Sequence, residues 1–222
     1  LASAESDDII TDPDNPNLVR VIQREDVDVA ARGTIRVTAN EDVFLGGSSN
    51  FNIFDVRGDR IEIRTDGDIS SANGSNVVIR GNDVILDAGD QIGSSAQPLH
   101  VQIQGYLTAR AQRLGLASAG DLTIDYLLGR QGVNLHVDGN LYARDNSMGG
   151  NWLEVENIAG GDINLQVNGA MGRSGERINL GTNPTNVVNL SVDGDAWVGG
   201  IQGLSSLPGN LNFNQVTVGG QF

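Results

Sequence analysis

Asp83, Asp87 and Asp90 sit close together in the chain, and Asp59, Asp66 and Asp68 precede them in a similar cluster. Carboxylates at this density suggest two kinds of chemistry. Two or three that converge on a groove can cleave a glycosidic bond. Several that face one point can hold Ca²⁺. Asp beside Gly is also ordinary turn chemistry, and the calcium-roll pattern G-G-x-G-x-D-x-U-x is absent. Asp83, Asp87 and Asp90 therefore stand as weak calcium candidates, and no residue is assigned to catalysis.

The stretch Arg57-Gly58-Asp59 is a second candidate, because integrins read this triplet on matrix proteins. Further along, Arg80-Gly81-Asn82 occupies the equivalent place. A repeat that favours Gly-Asp and tolerates Arg before it generates the triplet by drift, which is the simpler reading. Arg57 and Arg80 are expected to stack on one outer face near Glu62 and Asp87, as a salt-bridge ladder or a patch for an acidic glycan. Trp152 is expected either to stack on a sugar or to cap the core. His100 and His136 each follow Leu and precede Val, so both should face outward. Neither has a second His at ligand spacing, and both read as solvated. The binding candidates are thus Arg57, Gly58, Asp59, Arg80 and Trp152.

Composition removes other chemistries. The chain has 222 residues and no Cys, so it has no disulfide or thiolate chemistry. All 14 basic residues are Arg. Without Lys there is no Schiff base and no Lys–Asn cross-link. The formal net charge of −14 argues against nucleic acid, whose phosphates need a basic face. No apolar run approaches the roughly 18 residues of a membrane span, so direct membrane insertion is not expected. No complete secretory leader is visible, and "LASAES" reads as a cleavage remnant or an arbitrary boundary. The chain reads as a piece of something longer. No cofactor is implied.

The elements that must position these residues repeat. "FDVRGDRIEI" (54–63) aligns with "VVIRGNDVIL" (77–86) at a shift of 23, and "VQIQGYLTAR" (101–110) follows at 24. In the second half "VNLHVDG", "INLQVNG" and "VNLSVDG" share one template, with Gly139, Gly169 and Gly194 spaced 30 and 25 apart. The excess reads as longer loops at 145–151 and 181–186. Within each copy the apolar residues alternate, as Val133, Leu135 and Val137 do around Asn134 and His136, which means strands. Gly and Asn at the corners are expected to supply positive φ. A coil of about 23 residues holds some three short strands, and one coil cannot bury its own apolar face, so coils must stack. The expected fold is an all-β parallel β-helix over 26–222, of roughly eight or nine coils. Asn134, Asn164 and Asn189 should form an amide ladder. A β-propeller fits less well, since its blades repeat every ~40–45 residues. Residues 1–25 read as an acidic irregular lead-in or linker, with at most a helical turn or two in "PNLVRVIQRED" (16–26).

The stretch "VILDAGDQIGSSAQPLHVQIQGYLTARA" (84–111) resembles the repeats of large bacterial surface exoproteins of the filamentous-haemagglutinin-like type. The matching residues are Leu86, Ala88, Gly89, Asp90, Ile92, Gly93, Pro98, Leu99 and Val101. "DVFLGGSS" (42–49) and "AGGDINLQVNG" (159–169) have the same character. The resemblance implies a right-handed parallel β-helix at the bacterial cell surface, with a role in display and adhesion. The implied partners are a host-cell, matrix or glycan surface, neighbouring bacterial cells, and adjoining coils of the same long chain. It carries over no catalytic residue. The alternatives are the β-helical domain of a secreted polysaccharide lyase or glycoside hydrolase, and a calcium-stabilised adhesin segment.

Overall fold

The computed structural model describes residues 3–12, 15–29, 33–144, 157–183, 185–200 and 211–222. Its strands are parallel and stacked, forming a β-solenoid of about seven turns with coils about 22 residues apart. The alternation seen in the sequence is what closes the core. Val133, Leu135 and Val137 are buried while Asn134 and His136 are part-exposed. Each inward residue lies on its equivalent in the next coil. One column runs Val43, Ile61, Val84, Leu107, and a second runs Leu45, Ile63, Leu86, Ala109, Leu127, Ile158, Leu180. All of these are buried. A side chain in such a column touches like side chains above and below, so the dry interior is continuous from coil to coil.

The register also explains the uneven repeat. Val43 pairs with Ile61 and Ala109 with Leu127, steps of 18 residues. Ile61 pairs with Val84 and Val84 with Leu107, steps of 23. Leu127 pairs with Ile158, a step of 31. The short coil is the structural unit, and the longer ones add excursions such as 72–78 and 93–98. The 23-residue period in the sequence belongs to two neighbouring coils that carry similar excursions.

The expected irregular lead-in is corrected. Ser3–Asp12 and Asn15–Asp28 are strands paired antiparallel, with Ile9 opposite Val21. The second strand continues into the stack, where Val27 pairs with Leu45. The β-branched residues Ile9, Ile10, Val19, Val21 and Ile22 of this segment favour strand. The helical turn considered for 16–26 is strand instead.

The corners have a different physical basis from the one expected. Left-handed φ occurs at Gly74, Gly93, Gly172 and Gly175, and Gly160 is extended at φ 159° within the strand Ile158–Val167; Gly67, Gly105, Gly139, Gly169 and Gly220 have no positive φ. The latter five are small for a steric reason. In each case a Cβ would strike the side-chain oxygen of an Asp or Asn in the coil before: Asn50, Asp83, Asp121, Asn140 and Asp195 respectively. The same oxygen accepts the N–H that follows the glycine. Asn50 accepts from Asp68 at 3.0 Å, Asp83 from Tyr106 at 3.2 Å, Asp121 from Asn140 at 2.7 Å, Asn140 from Ala170 at 2.8 Å and Asp195 from Gln221 at 2.7 Å. The recurrent Gly and Asp/Asn are therefore two halves of one contact, made between coils.

Outside the core, arginines lie over aromatic rings. Arg36 sits 4.3 Å from the centroid of Phe54, and Arg144 is 4.3 Å from that of Tyr106. Glu62 is buried between Arg60 at 3.4 Å and Arg64 at 2.7 Å.

Replacing Gly139 by Ala should lower stability by about 1–3 kcal/mol, the range for overpacking. Gly120, where a Cβ would meet nothing within 4 Å, should tolerate Ala within about 0.5 kcal/mol. Urea unfolding of the two variants checks the contrast; equal losses would contradict the corner account.

Candidate functional site

The structure separates the aspartates that the sequence places together. Asp83 accepts the Tyr106 N–H, and Asp90 pairs with Arg113 at 3.4 Å. Asp87 lies in register between Arg64 and Arg110. Among the described residues no group of three or more His, Asp or Glu side chains is arranged to hold a metal ion. Asp83 and Asp90 are thus used separately, one by a backbone N–H and the other by an arginine of the following coil.

Arg57-Gly58-Asp59 turns a corner between the strands Phe51–Arg57 and Arg60–Thr65. Its backbone is tied to the neighbouring coils. The Asp59 N–H donates to the Glu41 carbonyl at 2.7 Å, and the Asp59 carbonyl accepts from Asn82 at 2.8 Å. A Cβ at Gly58 would lie 2.8 Å from the Glu41 carbonyl oxygen. The triplet is flush with the stack. Arg57 and Arg80 are in register on one outer face, as expected. Their shared partner is Asp55, at 3.0 Å from each, and not Glu62 or Asp87. Glu62 serves Arg60 and Arg64 instead. Side chains two apart on a strand share a face, so Asp55 with Arg57 was legible in the sequence. Trp152 and the 145–151 loop lie outside the described residues.

His100 and His136 both face outward. His136 is not simply solvated: its Nε2 lies 2.8 Å from Asp138 Oδ1. Asp138 also accepts from Asn168 at 3.3 Å. Period 2 places Asp138 beside His136, a signal the sequence reading passed over. Partial burial lowers the His100 pKa from 6.5, with the Asp138 charge opposing the shift and His136 adding to it.

A concavity lies on the face built by Val133–Val137, Ile163–Val167, Val188–Val192 and Phe213–Val218. It is a trough of about 310 Å³. Its floor is the amide ladder. Asn164 donates to Asn134 at 3.1 Å, Asn189 to Asn164 at 2.7 Å, and Asn214 to Asn189 at 2.9 Å. The first three rungs are those expected from the repeat template. The fourth was missed because the register slips between Val188 and Asn189, which sets Gln215 opposite Asn189. A second row, His136, Gln166 and Ser191, lies beside the ladder.

One end is walled by Ser94, Ser95 and Pro98. These belong to the 93–98 excursion, which folds over the outer side of the strand Leu107–Ser118. The outward residues there are Gly115 and Ala117, and a Cβ at Gly115 would run into Ser94. Gly93 turns the excursion at φ 56°. The Ser94 N–H donates to the Gln97 carbonyl at 2.9 Å, and Ser94 Oγ accepts the Gln97 N–H at 2.9 Å. The wall is thus held by its own turn.

No family model matches the chain, and neither a curated protein nor a solved structure matches it.

Two outcomes are expected. Asn164→Ala breaks two ladder bonds and should cost about 1–3 kcal/mol, whereas Asn214→Ala breaks one and should cost roughly half as much. Chemical denaturation measures both. For His100, a folded pKa below the unfolded 6.5 means that the unfolded chain binds the proton more readily. Stability from this residue is present above pH 6.5 and lost as pH falls through the lowered folded value. Across this range the melting temperature of wild type should fall relative to that of His100→Gln as the pH falls; a parallel course would contradict the assignment.

Proposed function

We propose that the chain is a β-helical stalk and adhesin segment of a large bacterial surface protein, displayed outside the cell. One observation carries this reading: the backbone bonds, corner contacts and amide ladder all run between coils. Every coil is bound to the next along the axis, an arrangement suited to projecting a surface. The resemblance of 84–111 to the repeats of filamentous-haemagglutinin-like exoproteins supports the same role. So does the use of Asp83 and Asp90 by separate partners, Tyr106 and Arg113, since polysaccharide cleavage needs carboxylates that converge on one bond.

The partners of such a segment are a host-cell, matrix or glycan surface, or neighbouring bacteria. Its end strands would adjoin further coils of the parent chain. Phe213 and Val216 on the strand Phe213–Val218 are exposed, as suits residues that another coil would cover.

Beads coated with the protein should attach to matrix, host-cell or glycan-coated surfaces more strongly than albumin-coated beads. The protein should release no new reducing ends from a panel of acidic and neutral polysaccharides, with or without Ca²⁺. Attachment no better than albumin would sink the adhesive role. Turnover of any polysaccharide would replace it with an enzymatic one.

A further inference from the structure

The trough on the amide-ladder face has the chemistry of a ligand site. Its floor presents Asn134, Asn164 and Asn189 in one row and His136, Gln166 and Ser191 in the next. A primary amide has two N–H donors and an oxygen with two lone pairs. The ladder uses one donor and one acceptor position of Asn164, and likewise of Asn189. A second N–H and a second lone pair on each rung stand outside it. Rungs recur at the inter-strand spacing, so the four coils from Asn134 to Gln215 span about 14 Å. The trough therefore offers alternating donors and acceptors at regular intervals along a line.

Hydroxyl groups both donate and accept, so a polyhydroxylated ligand can satisfy such a floor at every rung. Charge selects within that class. The lining residues include no Asp, Glu or Arg, and the His136 ring is engaged by Asp138. The formal net charge of −14 repels polyanions. The wall of Ser94, Ser95 and Pro98 is held in place by the Ser94–Gln97 turn, so one end of the site is formed before a ligand arrives. A preformed site lowers the ordering cost of binding.

We infer that this trough binds an uncharged oligosaccharide, laid along the solenoid axis with one end against the 93–98 wall. The inference rests on the adhesive reading and names the ligand class for it. The sugar hydroxyls exchange hydrogen bonds with the Asn rungs and with Gln166 and Ser191. The apolar edge of Pro98 packs against the terminal ring.

The test follows the side-chain amide resonances of Asn134, Asn164 and Asn189 by NMR. The probes are cellotetraose, maltotetraose and chitotetraose, with tetragalacturonate as the acidic comparison. At least one neutral probe should shift these resonances at millimolar concentration. Ser191→Tyr, which adds bulk to the row beside the ladder and removes none of its amides, should weaken that binding about tenfold, the scale of a lost hydrogen bond. Its melting temperature should stay at the wild-type value. Gln166→Ala gives a second variant that removes floor contacts without adding bulk, and it should weaken binding in the same direction. Silence from all neutral probes, a response to tetragalacturonate alone, or full binding by both variants would overturn the inference. Bead attachment that persists while the neutral probes are silent would remove the trough and leave the adhesive role standing.

Discussion

The structure depends on one constraint: each coil must lay its residues on their equivalents in the coil below. A single coil has too little interior to exclude water. Its inward residues become dry only when Ile63 covers Leu45 and Leu86 covers Ile63, and so on up the column. The same superposition aligns backbone donors with backbone acceptors, so burial and hydrogen bonding are satisfied by one register. Everything outside the core inherits it. The asparagines become a ladder because the leucines beside them became a column.

This constraint explains which positions recur from coil to coil and which do not. A corner must let two backbones approach closely while an Asp or Asn reaches across to the next coil. That leaves space for hydrogen alone at Gly139 or Gly169. An excursion faces no such limit, since it leaves the stack and returns. Coil length can thus change from 18 to 31 residues without loss of register. The concavity on the amide-ladder face arises where an excursion folds back, over the small outer residues Gly115 and Ala117.

Much of the fold was legible because it is local and periodic. Alternation identified the strands, and the template shared by 133–139, 163–169 and 188–194 placed Asn134, Asn164 and Asn189 in one row. What period 2 implies for charged neighbours was overlooked: it pairs Asp55 with Arg57 and Asp138 with His136. The remaining differences have separate causes. Asn214 joined the ladder through a register slip that no template shows. The strands at 3–12 and 15–28 were obscured by the acidic residues around their β-branched ones. The trough could not be read from sequence, because its wall and its floor come from segments far apart in the chain. Proximity of Asp83, Asp87 and Asp90 in the chain did not show that Asp83 and Asp90 each meet a separate residue of the following coil, Tyr106 and Arg113.

Register is the claim on which the rest stands, and cross-linking measures it directly. The chain has no cysteine, so introduced pairs report without interference. Gln166 and Ser191 are opposite one another on the outer face of adjacent coils, and neighbouring strands are close enough for a disulfide. The double variant Gln166→Cys with Ser191→Cys should form an intramolecular bond on mild oxidation. Gln166→Cys with Asp193→Cys, displaced by two residues along the strand, should not. A bond in the displaced pair and none in the first would contradict the stacking of equivalent residues, and with it the core columns, the ladder and the trough.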